Sequence, residues 1–485
     1  MRLTRIGITL LLLSTVIPAW SADTARLSSE GFALVEGEPR LLIGSFHLPE
    51  DDAFLARLAG NGFNFVRGKL DRPVLDRIHA AGMYAWIPLG GALALKEGDT
   101  EGAARLRQTI EEFKDHPALI TWEGPDEALW LRWYSAFQWN IFEQPMQLSA
   151  LIQKAAPEQD AAQIQAWKDT HQRAGDRIAR GLWAEGQALY DELWQAFGKE
   201  NPHPDKAVAV CMTRAHELGQ ELSRGWRELR NVDQDTLFWQ NHAPRNTVSA
   251  LQEYNREVDA AGCDIYPMPF NRGVLHSDLP NRSLTCVGEY TRRMQDAAPG
   301  KAVWMVLQGF GWKDLNDPFN PRDDVGGRRP TFEESRFMAY NALVHGAKAL
   351  LYWGVHVLEP DDQLWLDLFQ VARELRALEP GIVGEPPATP PVCAGDDTYA
   401  SVGSEGPVLM LRKTGEDWIL IAVNESYAGI GFEVTQLPPE LNGKSFYRLY
   451  SDENVTVENN GFRDGIRGYD VQVYATSKHF EMTSE

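Results

Sequence analysis

Residues Thr121 to Leu129 read Thr-Trp-Glu-Gly-Pro-Asp-Glu-Ala-Leu. An apolar run, Ala118 to Ile120, leads into this segment, and a Gly-Pro break precedes two adjacent carboxyl groups, Asp126 and Glu127. Carboxyl side chains suit general acid and base catalysis because burial and neighbouring charge move their pKa values toward neutrality. An apolar strand that stops at such a break delivers its acids to one edge of a sheet. In a barrel of parallel strands, the carboxyl edge is where the chemistry sits. The competing reading of Glu127 is an acid that caps the following helix.

Other apolar runs also end in residues able to act. Phe63-Asn64-Phe65-Val66 ends in Arg67, and Thr236-Leu237-Phe238-Trp239 leads into Asn241-His242-Ala243-Pro244-Arg245. Cys263-Asp264-Ile265 places a carboxylate beside Tyr266, and Ala349 to Tyr352 ends in Trp353-Gly354. Val303 to Leu307 ends in Gln308, an amide with no negative charge to offer. Arg67 also reads as one half of an ordinary ion pair, and His242 as a structural histidine. His47, beyond the first run, and the loop acids Asp323, Asp324 and Glu359 are weaker candidates.

These runs need a scaffold that brings their ends together. Eight short apolar segments alternate with amphipathic stretches between about Arg40 and Glu379: Leu41–Gly44, Phe63–Arg67, Met83–Pro88, Ala118–Trp122, Thr236–Trp239, Cys263–Tyr266, Val303–Leu307 and Ala349–Trp353. That alternation predicts a parallel sheet closed into an α/β (β/α)8 TIM barrel, spanning 30–384. Gly62, Gly82, Gly262 and Gly346 fall near the helix-to-strand turns, where a helix-ending glycine is expected. After the fourth strand a long segment rich in Ala, Gln, Glu, Trp and Leu, about 129–232, predicts a helical insertion. It leaves directly from Glu127, so it reads either as packing or as a wall over the site. Beyond the stiff Glu385-Pro386-Pro387-Ala388-Thr389-Pro390-Pro391, short alternating runs at Val408–Leu411, Trp418–Val423, Ser445–Tyr450 and Asp470–Tyr474 predict a C-terminal antiparallel β-sandwich over 392–478.

The segment from His116-Pro117 through Trp122 to Asp126-Glu127 resembles the fourth strand of the clan A glycoside hydrolases. That strand runs from His-Pro through a short apolar stretch ending in Trp to Asn-Glu. The resemblance implies that Glu127 is the general acid/base and that Asp126 stands in place of the family's Asn. It implies that Arg67 hydrogen-bonds a nucleophile and that Trp353 stacks on a sugar ring. Trp122, Asn241, His242, Tyr266 and Gln308 join them as candidate substrate-binding residues. The departure is at strand seven, where the family has a Glu nucleophile and this chain has Gln308. Three readings follow. Another carboxylate serves, with Asp264 first, and a separation of ~6.5–9.5 Å from the acid would invert while ~5 Å would retain. Alternatively, Asp126-Glu127 acts as in hexosaminidases, with Asp126 orienting a substrate acetamido group. Or the barrel binds sugar without cleaving it.

Composition narrows the partners. The 485-residue chain carries a net charge of −21, which opposes binding to nucleic acid and to anionic membrane. Its 16 Trp supply both core and flat platforms for sugar rings. The expected partner is a carbohydrate; oligomeric state is not legible. No cofactor is expected, and no metal, since no His-x-His or paired-cysteine spacing occurs. Cys211, Cys263, Cys286 and Cys393 would allow one disulfide in an oxidising compartment, with no pairing favoured. Arg2 and Arg5, the apolar Ile6 to Ile17, and Ala19-Trp20-Ser21 predict a signal peptide over 1–21, hence a secreted or periplasmic protein with no membrane span after cleavage.

Overall fold

The computed structural model describes residues 26–269, 279–315, 326–395 and 406–482. The expected leader and the loop acids Asp323 and Asp324 lie outside the described residues. Eight strands close a parallel barrel: β1 (Leu42–Ser45), β2 (Phe65–Arg67), β3 (Tyr84–Pro88), β4 (Leu119–Glu123), β5 (Leu237–His242), β6 (Ala260–Ile265), β7 (Ala302–Gln308) and β8 (Ala349–Trp353). Each pairs in parallel with the next, and β8 returns to β1 through Ala349 opposite Leu42 and Tyr352 opposite Ser45.

Four fully buried rings fill the barrel's middle. Phe65 and Trp86 have centroids 4.6 Å apart, Trp86 and Trp239 5.7 Å, Trp239 and Trp304 5.6 Å, and Trp304 and Phe65 5.8 Å. Burial of each ring contributes on the order of 4 kcal/mol before entropy is counted. Gly44 makes room for this layer: a Cβ there would lie 2.3 Å from Leu351 Cδ2 and 3.3 Å from the Trp86 ring. Alanine at Gly44 would therefore force the layer apart. An antiparallel hairpin system, Arg26–Leu27, Ala33–Val35 and Glu38–Arg40, packs Ala33 and Val35 into the same core cluster. Lys348, at the amino end of β8, sits with Nζ 4.6 Å from the Phe32 ring centroid, so this hairpin covers the end away from the site.

The segment between β4 and β5 is helical: Ala128–Gln138, a π turn at Trp139–Glu143, then Gln144–Ala155, Ala161–Ala179, Trp183–Ala196 and Val208–Val232. It divides by packing. Trp139, Leu148, Ala174, Ile178, Tyr190, Leu193 and Trp194 form a core of their own. The last helix packs on the barrel wall, with Trp226 stacked on Phe238 at 4.9 Å. It thus serves as the outer helix between β4 and β5. No described helix is long and apolar enough to cross a membrane.

The C-terminal region forms two antiparallel sheets. Its strands are β9 (Val392–Gly395), β10 (Val408–Thr414), β11 (Asp417–Val423), β12 (Ile430–Thr435), β13 (Ser445–Arg448), β14 (Asn454–Thr456), β15 (Phe462–Ile466) and β16 (Val471–Ala475). One sheet has the order β9-β12-β15, the other β10-β11-β16-β13-β14. Leu411, Leu420, Phe432, Val434, Phe446, Phe462 and Tyr474 fill the space between them. The outer face of the larger sheet, including Ile419, Ile421 and Val473, joins the barrel's main core. Gly381, in the helix Gln363–Ile382, permits that approach, since a Cβ there would sit 2.0 Å from Ile419 Cδ1.

Candidate active site

Inward-facing residues at the strand ends are set by the two-residue period of a strand. Phe65 and Trp86 point into the barrel, so Arg67 and Pro88 do as well. On β5, Leu237 and Trp239 are inside, so Asn241 is inside and His242 outside. A register irregularity where Ala85-Trp86 faces Leu119 and Thr121 resets β4. The β4 residue facing inward at the carboxyl end is therefore Glu123, and Trp122 faces out.

The result is a cluster of four carboxyl groups. Glu123 is fully buried, and its Oε2 accepts a 3.1 Å hydrogen bond from Arg67 Nε. Asn241 Nδ2 donates to Asp126 Oδ1 at 2.9 Å and to Asp264 Oδ1 at 2.7 Å. Asp264 also hydrogen-bonds the Glu127 carboxyl. The short Gly124-Pro125 link is fixed from β5: Gly124 N–H bonds Trp239 O at 2.9 Å, and Gln240 Nε2 bonds Pro125 O at 2.7 Å. Glu127 N–H is 3.3 Å from Asn241 O, and its backbone is left-handed, with φ 49°. That conformation is unfavourable for a side chain of this size and persists where the surroundings impose it, commonly at functional sites. Helix Ala128–Gln138 begins at the next residue, yet the Glu127 side chain makes no capping bond. The helix-cap reading of Glu127 is thereby set aside.

Electrostatics keep protons in this cluster. Burial, then the charge of Asp126, pushes Glu123 up to about 8, against the pull of Arg67. Burial raises Asp126, opposed first by the Asn241 hydrogen bond and then by Arg67. Burial raises Glu127 too, while its bond with Asp264 works the other way. Burial, the charges of Glu127 and Asp126, and that same bond hold Asp264 well above the carboxylate range. Glu127 and Asp264 therefore hold one proton between them, and burial resists the ionisation of both. Asp264 is nearly inaccessible, whereas Asp126 and Glu127 are half-buried and can be reached from the mouth.

An aromatic wall stands beside the acids. Tyr266 stacks on Trp353 with centroids 5.5 Å apart and planes 19° from parallel, and Phe310 meets both edge-on at 5.1 and 5.2 Å. The Tyr266 hydroxyl faces Asp264, and burial with these negative neighbours raises its pKa well above 10. On the other side, Arg67 borders a cavity of about 930 Å³ with Phe46, His47, Lys69, Pro88 and His356. His47 Nε2 and His356 Nδ1 are 2.9 Å apart, and burial lowers His47 to about 4.

Of the expected residues, Arg67, Asp126, Glu127, Asn241, Asp264, Tyr266 and Trp353 come together. Three do not serve as expected. Trp122 lies on the outer face of β4, with Nε1 donating to Asp233 Oδ2 at 2.7 Å. His242 is buried outside β5 against Asn255 Oδ1 at 2.7 Å, and burial lowers it to about 4. Both fall one residue from an inward position, which turns a side chain to the opposite face. Gln308 points inward, but its amide is consumed by backbone: Oε1 accepts from Met268 N–H at 2.8 Å, and Nε2 donates to Met268 O at 2.9 Å and Phe310 O at 3.0 Å. It braces the loops after β6 and β7. Glu359 is exposed on the loop after β8. Glu123 was missed, although its position after Trp122 in the strand-four motif was the available signal. Among the described residues no group of three or more His, Cys, Asp or Glu is placed to hold a metal ion.

No known protein family and no curated protein matches the sequence. Solved structures do resemble the fold. A glycoside hydrolase family 5 protein from Bacteroides vulgatus superposes with a TM-score of 0.51 at 12% identity, over 95% of this chain and 95% of that one. A beta-galactosidase from Bacillus circulans sp. alkalophilus superposes with a TM-score of 0.50 at 9% identity, over 91% of this chain and 100% of that one. The architecture is thus that of a (β/α)8 barrel followed by antiparallel sheets, as in those two proteins.

Proposed function

We propose that the chain is a glycoside hydrolase that cleaves O-glycosidic bonds of an oligo- or polysaccharide, with Glu127 as general acid/base. The observation that carries this reading is the proton-sharing pair of Glu127 and Asp264 at the carboxyl end of the barrel, beside the Tyr266–Trp353 wall. Both fold neighbours bear glycosidase names, which supports the class.

Glycoside hydrolysis needs a proton at the leaving oxygen and negative charge near the anomeric carbon. Glu127, the more accessible member of the pair, delivers the shared proton, which burial and the like charges of the cluster hold against ionisation. Asp126 is the carboxyl group that supplies the negative charge: burial raises its pKa, and the Asn241 N–H and the positive Arg67 oppose that rise by favouring the ionised form. Trp353 and Tyr266 present a flat apolar surface to a sugar ring. Arg67, tied to Glu123 through Nε, directs its remaining guanidinium N–H groups toward substrate hydroxyls.

One observation favours a second reading. Asp264 bonds Glu127 directly rather than standing ~5 Å across a gap, as a nucleophile would. Substrate assistance would remove the need for that nucleophile, with Asp126 orienting the acetamido group of an N-acetylhexosaminide. Aryl glycosides of hexoses and of N-acetylhexosamines, with the first product's anomer read by NMR, separate the two. Turnover of the acetamido series alone selects substrate assistance, turnover of plain hexosides selects a protein carboxylate, and turnover of neither, with binding retained, overturns hydrolysis. Export through the N-terminal leader belongs to the same proposal.

A further inference from the structure

A second cavity, of about 850 Å³, opens where the sandwich meets the barrel's outer helices. Phe332, Glu333 and Gln370 line it from the barrel, and Tyr450, Arg467 and Tyr469 from the sandwich. Its size lies within the range of small-ligand sites. Its polar floor is already neutralised. Arg336 donates from Nε to Glu374 Oε2 at 2.8 Å and from Nη1 to Val471 O at 2.9 Å, and Tyr340 donates to Glu374 Oε1 at 2.8 Å. Arg448 donates to both oxygens of Asp464, at 2.5 and 2.6 Å. These cations are consumed by buried or half-buried partners, so the floor offers no net charge to an ionic ligand.

The rim is unusual in its backbone. Tyr450 has φ 65° and Tyr469 φ 49°. A bulky side chain with positive φ is a steric outlier, held only where the surroundings impose it. Both outliers are aromatic, and both face the same cavity. Tyr450 is 42% exposed, so much of its ring remains open. Glu333, Gln370 and Arg467 are exposed beside it and offer both donors and acceptors. An open aromatic face, uncharged overall and fringed by planar hydrogen-bonding groups, suits a ligand with apolar ring faces and hydroxyl edges.

We propose that this junction binds a neutral oligosaccharide segment at a second, non-catalytic site. The inference needs no turnover at Glu127, so it stands or falls apart from the hydrolase reading. The test is retardation in native gels containing galactan, xyloglucan, mixed-linkage β-glucan or soluble starch, compared with a gel without polysaccharide. Tyr450→Asn removes the ring but keeps a residue type that accepts left-handed backbone; Gln370→Ala is a second variant on the barrel side. At least one polysaccharide is expected to retard the wild type, with affinity lowered about tenfold by Tyr450→Asn, the loss of one aromatic contact. A smaller loss is expected for Gln370→Ala. Thermal unfolding and hydrolysis of small aryl glycosides should stay as in wild type. Absence of retardation in every gel, or equal retardation of wild type and both variants, overturns the site. A Tyr450→Asn protein that binds weakly only because it unfolds early also overturns it, unless folded Gln370→Ala shows the loss.

Discussion

Asp264 on strand β6 and Glu127 in the turn that follows β4 meet through a carboxyl–carboxyl hydrogen bond, and Asn241 Nδ2 donates to Asp264 Oδ1 at 2.7 Å. Two acids in contact cannot both ionise cheaply at neutral pH. They titrate as a pair, and the proton that remains is placed where a leaving group would need it.

Replacing Glu127 with Gln should therefore cut turnover on a poor leaving group by about 10²–10⁴. The loss should shrink on an activated aryl glycoside, whose leaving group needs no proton. Steady-state rates on the two substrate types check this. Equal rates for Glu127→Gln and wild type on both would remove Glu127 from the mechanism.

Asp264→Asn tests the pairing. The amide still donates a hydrogen bond to Glu127, but losing the last proton no longer leaves two like charges in contact, so the pKa of the acid that remains should fall below that of the pair. An acid works only while protonated, so activity disappears as pH rises through its pKa. The alkaline limb of the kcat/KM profile should therefore move to lower pH in Asp264→Asn. A limb that stays in place would mean that Asp264 does not tune the acid.

The barrel was legible because eight apolar runs recur with amphipathic stretches between them, and that pattern has few other solutions. The facing of individual residues was not. A barrel strand is apolar on both sides, since one face meets the interior and the other meets helices, so Leu119-Ile120-Thr121-Trp122 shows no alternation to read. Only closure of the barrel, with the irregularity opposite Ala85-Trp86, decides that Glu123 faces in and Trp122 out. The sheet β9-β12-β15 was unseen for a related reason. Phe462-Arg463-Asp464-Gly465-Ile466 interrupts its apolar residues with charge and glycine, and its burial comes from the facing sheet.

Glu123 makes stability depend on pH. Its pKa rises from 4.5 in the unfolded chain to about 8 in the fold. Between those values the folded state holds more protons than the unfolded state, so stability falls as pH rises across that window. The slope is at most about 1.4 kcal/mol per pH unit from this one group. Glu123→Gln removes the titration, although it weakens the contact with Arg67 at every pH. Urea unfolding from pH 5 to 9 should show a shallower decline for Glu123→Gln than for wild type. Parallel curves would show that Glu123 does not titrate in this range.

The leader is tested by mass spectrometry of the protein secreted or released from its host. The expected N-terminus lies near Ala22. A retained Met1, or a lipid-modified start, would refute cleavage at Ser21.

Gln308 decides between a bracing residue and a vestige of a lost nucleophile. Its Nε2 donates to Met268 O and Phe310 O, and its Oε1 accepts from Met268 N–H. A Glu there would keep the acceptor but turn a carboxylate oxygen toward two carbonyl oxygens. Buried groups left without partners cost about 1–3 kcal/mol each, and more when charged. Gln308→Glu should therefore lower the unfolding midpoint, loosen the loop that follows Tyr266, and reduce activity on the best substrate. Protonation of the new acid would restore one donor, so the defect should ease as pH falls. Thermal unfolding at two pH values and rates on that substrate measure both effects. A stable Gln308→Glu protein that gains activity absent from wild type would show that the natural chain binds sugar without cutting it, and that the position had kept its room for a nucleophile.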